Sequence, residues 1–163
     1  MTIIIKNKDT LLIDEFKFKC CIGKNGIKKN KIEGDLSTPK GNFALEDLYY
    51  RKDKLSKPIT KLQIKEIKRN LGWCTDNKSN LYNKRIISKK ELKHEKLFRK
   101  DNKYDLLIVI SYNRKKIIKN KGSAIFLHLT KNYKPTAGCI GLKKKDFLIL
   151  LKLINNKTKI IIN

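Results

Sequence analysis

Ile125-Phe126-Leu127-His128 and, a short polar stretch later, Thr136-Ala137-Gly138-Cys139-Ile140-Gly141-Leu142 are the segments on which the reading of this chain turns. The first is an apolar run that ends in a histidine, as a buried strand does. The second places a cysteine behind the small pair Ala137-Gly138, eleven positions after that histidine. A thiol becomes a strong nucleophile once a neighbouring base takes its proton, and imidazole is the usual base. Gly138 can adopt backbone conformations closed to other residues, so successive N–H groups beside the sulfur can turn toward one point. Such donors hold the oxygen of a tetrahedral intermediate. The residue types therefore point to acyl transfer, with Cys139 as nucleophile, His128 as base, and Gly138 and Ala137 as backbone donors. Taken alone, such residues are more often an inert buried thiol and a packed, satisfied histidine.

Working outward, the pattern is mostly that of strands. Thr2–Lys6 and Leu11–Ile13 are apolar-rich runs separated by Asn7-Lys8-Asp9, a hairpin signal. Phe16–Cys20 alternates apolar and charged residues, as a half-buried strand does. Lys24-Asn25-Gly26 reads as a turn. Asn42–Tyr50, Lys61–Ile67, Asp105–Ser111, Ser123–Leu129 and Thr158–Ile162 read as further strands. Two segments read as helices. Ser88–Lys100 has Ser88 as a candidate N-cap with Leu92, Leu97 and Phe98 as apolar positions. Asp146–Ile154 is richly apolar and is expected to pack on the sheet. The fold class expected is mainly β with one or two helices, a β-sandwich or open barrel.

The chain has 163 residues, long enough for one domain with a real core. No linker, repeat or second hydrophobic block divides it. Its four cysteines, Cys20, Cys21, Cys74 and Cys139, do not form a disulfide framework or a zinc motif: Cys20 and Cys21 are adjacent, and no Cys-x-x-Cys spacing occurs. No metal or cofactor is expected. The formal charge of +25 raises nucleic-acid binding. Against it, only five of the 40 basic residues are Arg, so the forks that read bases and phosphates are scarce. Lys, Asn and Ile abound along the whole length, as expected if gene base composition drives residue choice. Weak, nonspecific affinity at low salt is the expectation. No apolar run approaches the roughly 20 residues of a membrane helix. Met1–Asp9 lacks the h-region of a secretory signal, so a cytoplasmic location is expected.

The Thr136–Ile140 segment, placed after His128, resembles the active-site motif of the L,D-transpeptidase catalytic domain family (YkuD-like), a His followed by Ser/Thr-x-Gly-Cys-Ile/Val. Thr38-Pro39-Lys40-Gly41-Asn42-Phe43 is similar to that family's Thr-Pro-x-Gly-x-Phe/Tyr segment. Glu33-Gly34-Asp35, Gly72-Trp73-Cys74, Tyr82-Asn83 and Gly122-Ser123-Ala124 resemble a branch of short members. The resemblance runs over about positions 20 to 162. It implies a cysteine acyltransferase acting on peptidoglycan stem peptides through a thioester on Cys139. The alternative it allows is a cytoplasmic L,D-carboxypeptidase trimming recycled muropeptides. A third reading, from another class, is a basic nucleic-acid-binding module on an inactive form of the fold.

The departures fall at three positions. Gly141 stands where the family usually has Arg, Ala137 where many members carry a second His, and Leu129 where Gly or Ser is common. The family's substrate contacts are therefore not carried over. Thr136 orients the loop, contacts substrate, or is a turn residue after Pro135. Tyr112, Asn113, Tyr82 and Asn83 either line the cleft or pack at turns and edges. Trp73 reads as core, and His94, among Lys93, Glu95 and Lys96, as a solvated residue on the expected helix.

Overall fold

Asn7 and Lys8 take left-handed backbone angles, φ 52° and 65°, and fold β1 (Thr2–Lys6) back onto β2 (Thr10–Ile13). Asp14, φ 47°, does the same between β2 and β3 (Phe16–Cys21). In this computed structural model, which describes residues 1–163, short β4 (Ile27–Lys28) and β5 (Thr38–Pro39) pair with each other. The long β6 (Gly41–Tyr50) follows, with β7 (Ile64–Glu66) added parallel to its C-terminal half. Next come β8 (Leu71–Cys74), β9 (Arg85–Ile87), β10 (His94–Lys96), β11 (Leu106–Ile110), β12 (Phe126–Leu129) and β13 (Ile140–Leu142). Helix α1 (Lys144–Leu153) and β14 (Lys159–Ile162) end the chain.

The main sheet runs β11-β12-β13-β3-β2-β1-β14-β6, and β6 pairs back onto β11, so the sheet closes into a barrel. One side of its strands fills the interior: Ile3, Leu11, Leu48, Leu106, Leu127, Ile140 and Ile160 belong to one apolar cluster, with Phe147, Leu150 and Leu151 of α1 laid upon it. The mainly-β architecture read from the pattern is the one adopted, with a single helix.

The sequence did not announce a second layer. β10, β8 and β9 form a small three-stranded sheet. Trp73 on β8 and Leu97 just past β10 pack with Leu107, Val109 and Phe126 on the outer face of the barrel. β11 and β12 are thus buried on both faces, which is why they read as continuous apolar runs. Between these layers the thiol of Cys139 is buried.

The expected helix over Ser88–Lys100 is absent. The backbone donors there go sideways to a neighbouring strand: Ser88 N–H to the Asn70 carbonyl (2.7 Å) and Leu97 N–H to that of Leu71 (3.1 Å). Leu92, Leu97 and Phe98 do not make a continuous helical stripe, and tertiary pairing with β8 takes the segment. His94 lies on β10 opposite Cys74 and is half-buried, not solvated. The expected strand at Lys61–Ile67 shrinks to β7, and that at Ser123–Leu129 begins only at Phe126 because Ala124 turns left-handed (φ 53°).

Candidate active site

β12 and β13 run parallel with His128 opposite Gly141. Cys139 lies two residues before Gly141, so its side chain and that of His128 share one face of the sheet, since side chains alternate along a strand. That face is the one covered by the small sheet. Cys139 is 7% exposed and His128 2%. The ring of Tyr104 packs edge-on against the imidazole, centroids 5.4 Å apart, and lines the cavity into which Cys139 opens.

The Cys139 Sγ donates to the Ala124 carbonyl (3.2 Å) and receives the Phe126 N–H (3.3 Å). Ala124 is held left-handed with its own N–H on Asn83 Oδ1 (3.1 Å), a conformation that costs a non-glycine residue about 1 kcal/mol. Burial pushes the thiol up to about 11, more than Lys103 and the Phe126 N–H draw it down. Cys139 rests as a thiol.

His128 Nδ1 lies 2.9 Å from the Leu129 carbonyl, which can only accept, so Nδ1 carries the proton. Nε2 then has a lone pair, and it is buried with no hydrogen-bond partner. Burial, reinforced by Lys103, lowers the imidazole from 6.5 to about 3. The ring is neutral and presents a free acceptor. No hydrogen bond joins it to Cys139 in this resting arrangement. The two residues open into adjoining cavities, one of about 130 Å³ at Cys139 and one of about 610 Å³ at His128, and Lys103 lines both.

The loop carrying Cys139 is clamped from two sides. Thr136 Oγ1 donates to the Cys139 carbonyl (2.6 Å) and accepts the Gly138 N–H (3.0 Å). Thr38 Oγ1 donates to the Gly138 carbonyl (2.9 Å) and accepts the Gly23 N–H (2.8 Å). Gly138 has φ 141°, and a Cβ there would stand 2.7 Å from the Ser37 carbonyl oxygen. Only glycine fits. The expectation for Gly138 is corrected in one respect: its N–H is spent on Thr136, whereas those of Ala137 and Cys139 donate to no protein acceptor. Thr136 acts on the loop through its hydroxyl.

Tyr112 and Asn113 are not brought to either cavity. Asn113 bonds to Ile118 (Nδ2 to its carbonyl, 2.9 Å; Oδ1 from its N–H, 2.8 Å) and to the Gly122 carbonyl (3.0 Å), and Tyr112 caps the Lys121 carbonyl. Their polar atoms fold the 113–122 loop, so none is free to meet substrate. Asn83 is buried and joins Trp73 Nε1 (2.9 Å) to the Ala124 N–H, behind the thiol. Trp73 is core, as expected.

Residues to which the sequence reading gave no role in the site complete the walls. Lys31, 3% exposed, pairs with Asp35 at 2.6 Å and lines the Cys139 cavity with Glu33, Glu95 and Lys103. No composition signal marks Lys31 or Lys103 among so many lysines. Gly141 is closed to a side chain, because a Cβ there would lie 2.7 Å from Cys21 Sγ. No group of three or more His, Cys, Asp or Glu converges as a metal site would require.

The fold is a closed barrel that carries a buried thiol and a neutral histidine on one face of its sheet, behind a clamped Gly-Cys loop. The chain matches the family YkuD: L,D-transpeptidase catalytic domain over residues 1–162, and it belongs to that family. No curated protein matches it at a significant level. The family acts on peptidoglycan peptides. No helix is long and apolar enough to cross a membrane.

Proposed function

We propose that this protein transfers the acyl group of a peptidoglycan stem peptide through a thioester on Cys139. The observation that carries this is the His128 ring: Nδ1–H is pinned by the Leu129 carbonyl, leaving Nε2 unpaired, buried, and on the face that bears the thiol. Substrate entry draws Sγ off the Ala124 carbonyl, and Nε2 takes its proton. The thiolate attacks the carbonyl of an L-centre residue. The N–H groups of Ala137 and Cys139 receive the oxyanion. Protonated His128 returns the proton to the departing amine of the terminal D-amino acid, and the thioester remains. Water then gives a trimmed stem, and an amine gives an exchanged or cross-linked one. Both outcomes share the thioester step.

The test is incubation with a tetrapeptide muropeptide, read by intact-protein and product mass spectrometry. An acyl adduct on the wild type, absent in Cys139→Ala, is the expected result. Release of the terminal D-amino acid by Cys139→Ala would rule the mechanism out. Truncating this one thiol removes little apolar volume, so the variant should still fold.

A further inference from the structure

Glu33 is a carboxylate without a cation in a chain that carries 40 basic residues. Eight of the 15 acids find a Lys or Arg within 4.0 Å; Glu33 is among the seven that do not, alone of these lines the Cys139 cavity, and yet is not loose. Its Oε2 accepts from the hydroxyl of buried Tyr82 and from Ser123 Oγ (2.7 Å). The Tyr82 oxygen is itself fixed by the Gly122 N–H (3.0 Å). Oε1 has no protein donor, and the residue lines the cavity into which Cys139 opens. Lys103, which lines the same cavity, is a cation without a carboxylate, its ammonium resting 4.9 Å from the centre of the Tyr104 ring. A fixed anion and an unpaired cation thus face a space of about 130 Å³ beside the sulfur. A cavity needs only about 10–15 Å³ of such space to hold a water molecule, so this one has room for an amino-acid head group.

We infer that Glu33 binds the ammonium of the acyl acceptor, with Lys103 on its carboxylate, so that a small free amino acid resolves the thioester. This rests on the thioester proposed above and says which nucleophile the site is built to take. The bound ammonium gives one proton to the Glu33 carboxylate. The amine nitrogen then attacks the thioester carbonyl, the N–C bond forming as the C–S bond breaks. Its second proton passes through His128 to the departing thiolate, and Glu33 releases its own to solvent. An ammonium becomes an amide, a thioester becomes a thiol, and one proton is left over.

Two measurements on the full chain test it. In the first, D-alanine is titrated into free enzyme and the amide resonances of Gly34, Ser123 and Ala124 are followed by NMR, with D-lactate, which lacks the ammonium, as the control. D-alanine should shift these resonances in the wild type, at least fivefold more weakly in Glu33→Gln, and D-lactate in neither. Gln keeps an oxygen for Tyr82 and Ser123, and the remaining spectrum reports that the variant is folded. In the second, enzyme acylated by a tetrapeptide is divided between D-alanine exchange and hydrolysis. The exchange-to-hydrolysis ratio should fall at least tenfold in Glu33→Gln. Equal shifts in wild type and Glu33→Gln, equal shifts from D-alanine and D-lactate, or an unchanged ratio would overturn the inference. Failure of the wild type to acylate would sink the thioester proposal instead, and the titration alone would then decide for or against Glu33.

Discussion

Because Cys139 and His128 rest as a neutral pair, the rate at which Cys139 is alkylated should follow pH in a distinctive way. Burial holds the thiol at about 11. At pH 7 a group titrating there is ionised in about one molecule in ten thousand, and an ordinary thiol near 8.5 in about three in a hundred. Ionisation alone should therefore slow reaction with iodoacetamide at pH 7 by roughly 300-fold relative to a free cysteine. The rate should climb about tenfold per pH unit from about 7 to 10, with no plateau. Lys103, Glu95 and Lys31 are the charges acting most strongly on this thiol, so His128→Ala should keep the same slope while losing turnover. The assay is timed quenching followed by peptide mass analysis, with Cys20, Cys21 and Cys74, all buried, followed in the same digest. A plateau between about pH 5 and 8 that disappears in His128→Ala is the signature of a preformed thiolate–imidazolium pair. That result would refute the neutral resting state and the requirement that substrate trigger proton transfer.

Three further outcomes are expected. Acid should destabilise the fold through His128: its pKa is about 3 when folded against an ordinary 6.5, so the unfolded chain takes up the proton first and stability falls as pH drops between these values. The full span corresponds to about 5 kcal/mol, and denaturant unfolding at pH 7 and pH 4 should show a smaller loss in His128→Gln than in the wild type. Asp35→Asn leaves Lys31 buried without its partner and should cost about 3–5 kcal/mol, read as a lowered melting temperature; an unchanged melt would mean the Lys31 ammonium reaches water. Gly141→Ala drives a methyl group into Cys21 Sγ and should cost about 1–3 kcal/mol, with Cys21→Ala relieving most of it in a double-mutant cycle. Additive losses would show that the sulfur is not what excludes a side chain there.

The barrel was legible where the chain's chemistry is local. Asn7-Lys8 and the alternation of Phe16–Cys20 specify hairpins by backbone preference and period, and neither depends on distant partners. The small sheet was not legible, because β8, β9 and β10 are three or four residues long and mix Gly, Trp, Cys, Arg and charged residues. Short strands of this kind exist only by pairing, and Ser88 with its scattered apolar neighbours imitated a helix start. The site divides in the same way. Cys139, His128 and the glycine before the sulfur were readable as chemical types, since each does something few residues can do. Tyr112 and Asn113 were misread because tyrosine and asparagine serve loops as readily as clefts.

Charge is where the sequence conceals most, and the reason is arithmetic. When 40 of 163 residues are basic, a lysine carries almost no information by being present. Lys31 differs from the others only in being buried, which depends on Asp35 bending back four residues to meet it and on the Ile32 and Ser37 N–H groups that fix that carboxylate at 3.0 Å each. The informative charges in such a chain are the scarce acids. Of the 15, seven have no Lys or Arg within 4.0 Å, and among those seven Glu33 alone lines the cavity at the nucleophile. Its isolation has a physical cause in the Tyr82 and Ser123 hydroxyls, which hold Glu33 in place without neutralising it. Replacing either hydroxyl should free the side chain to swing toward a lysine, so the surrounding excess of positive charge would then compete with any amine ligand for the same oxygen atoms.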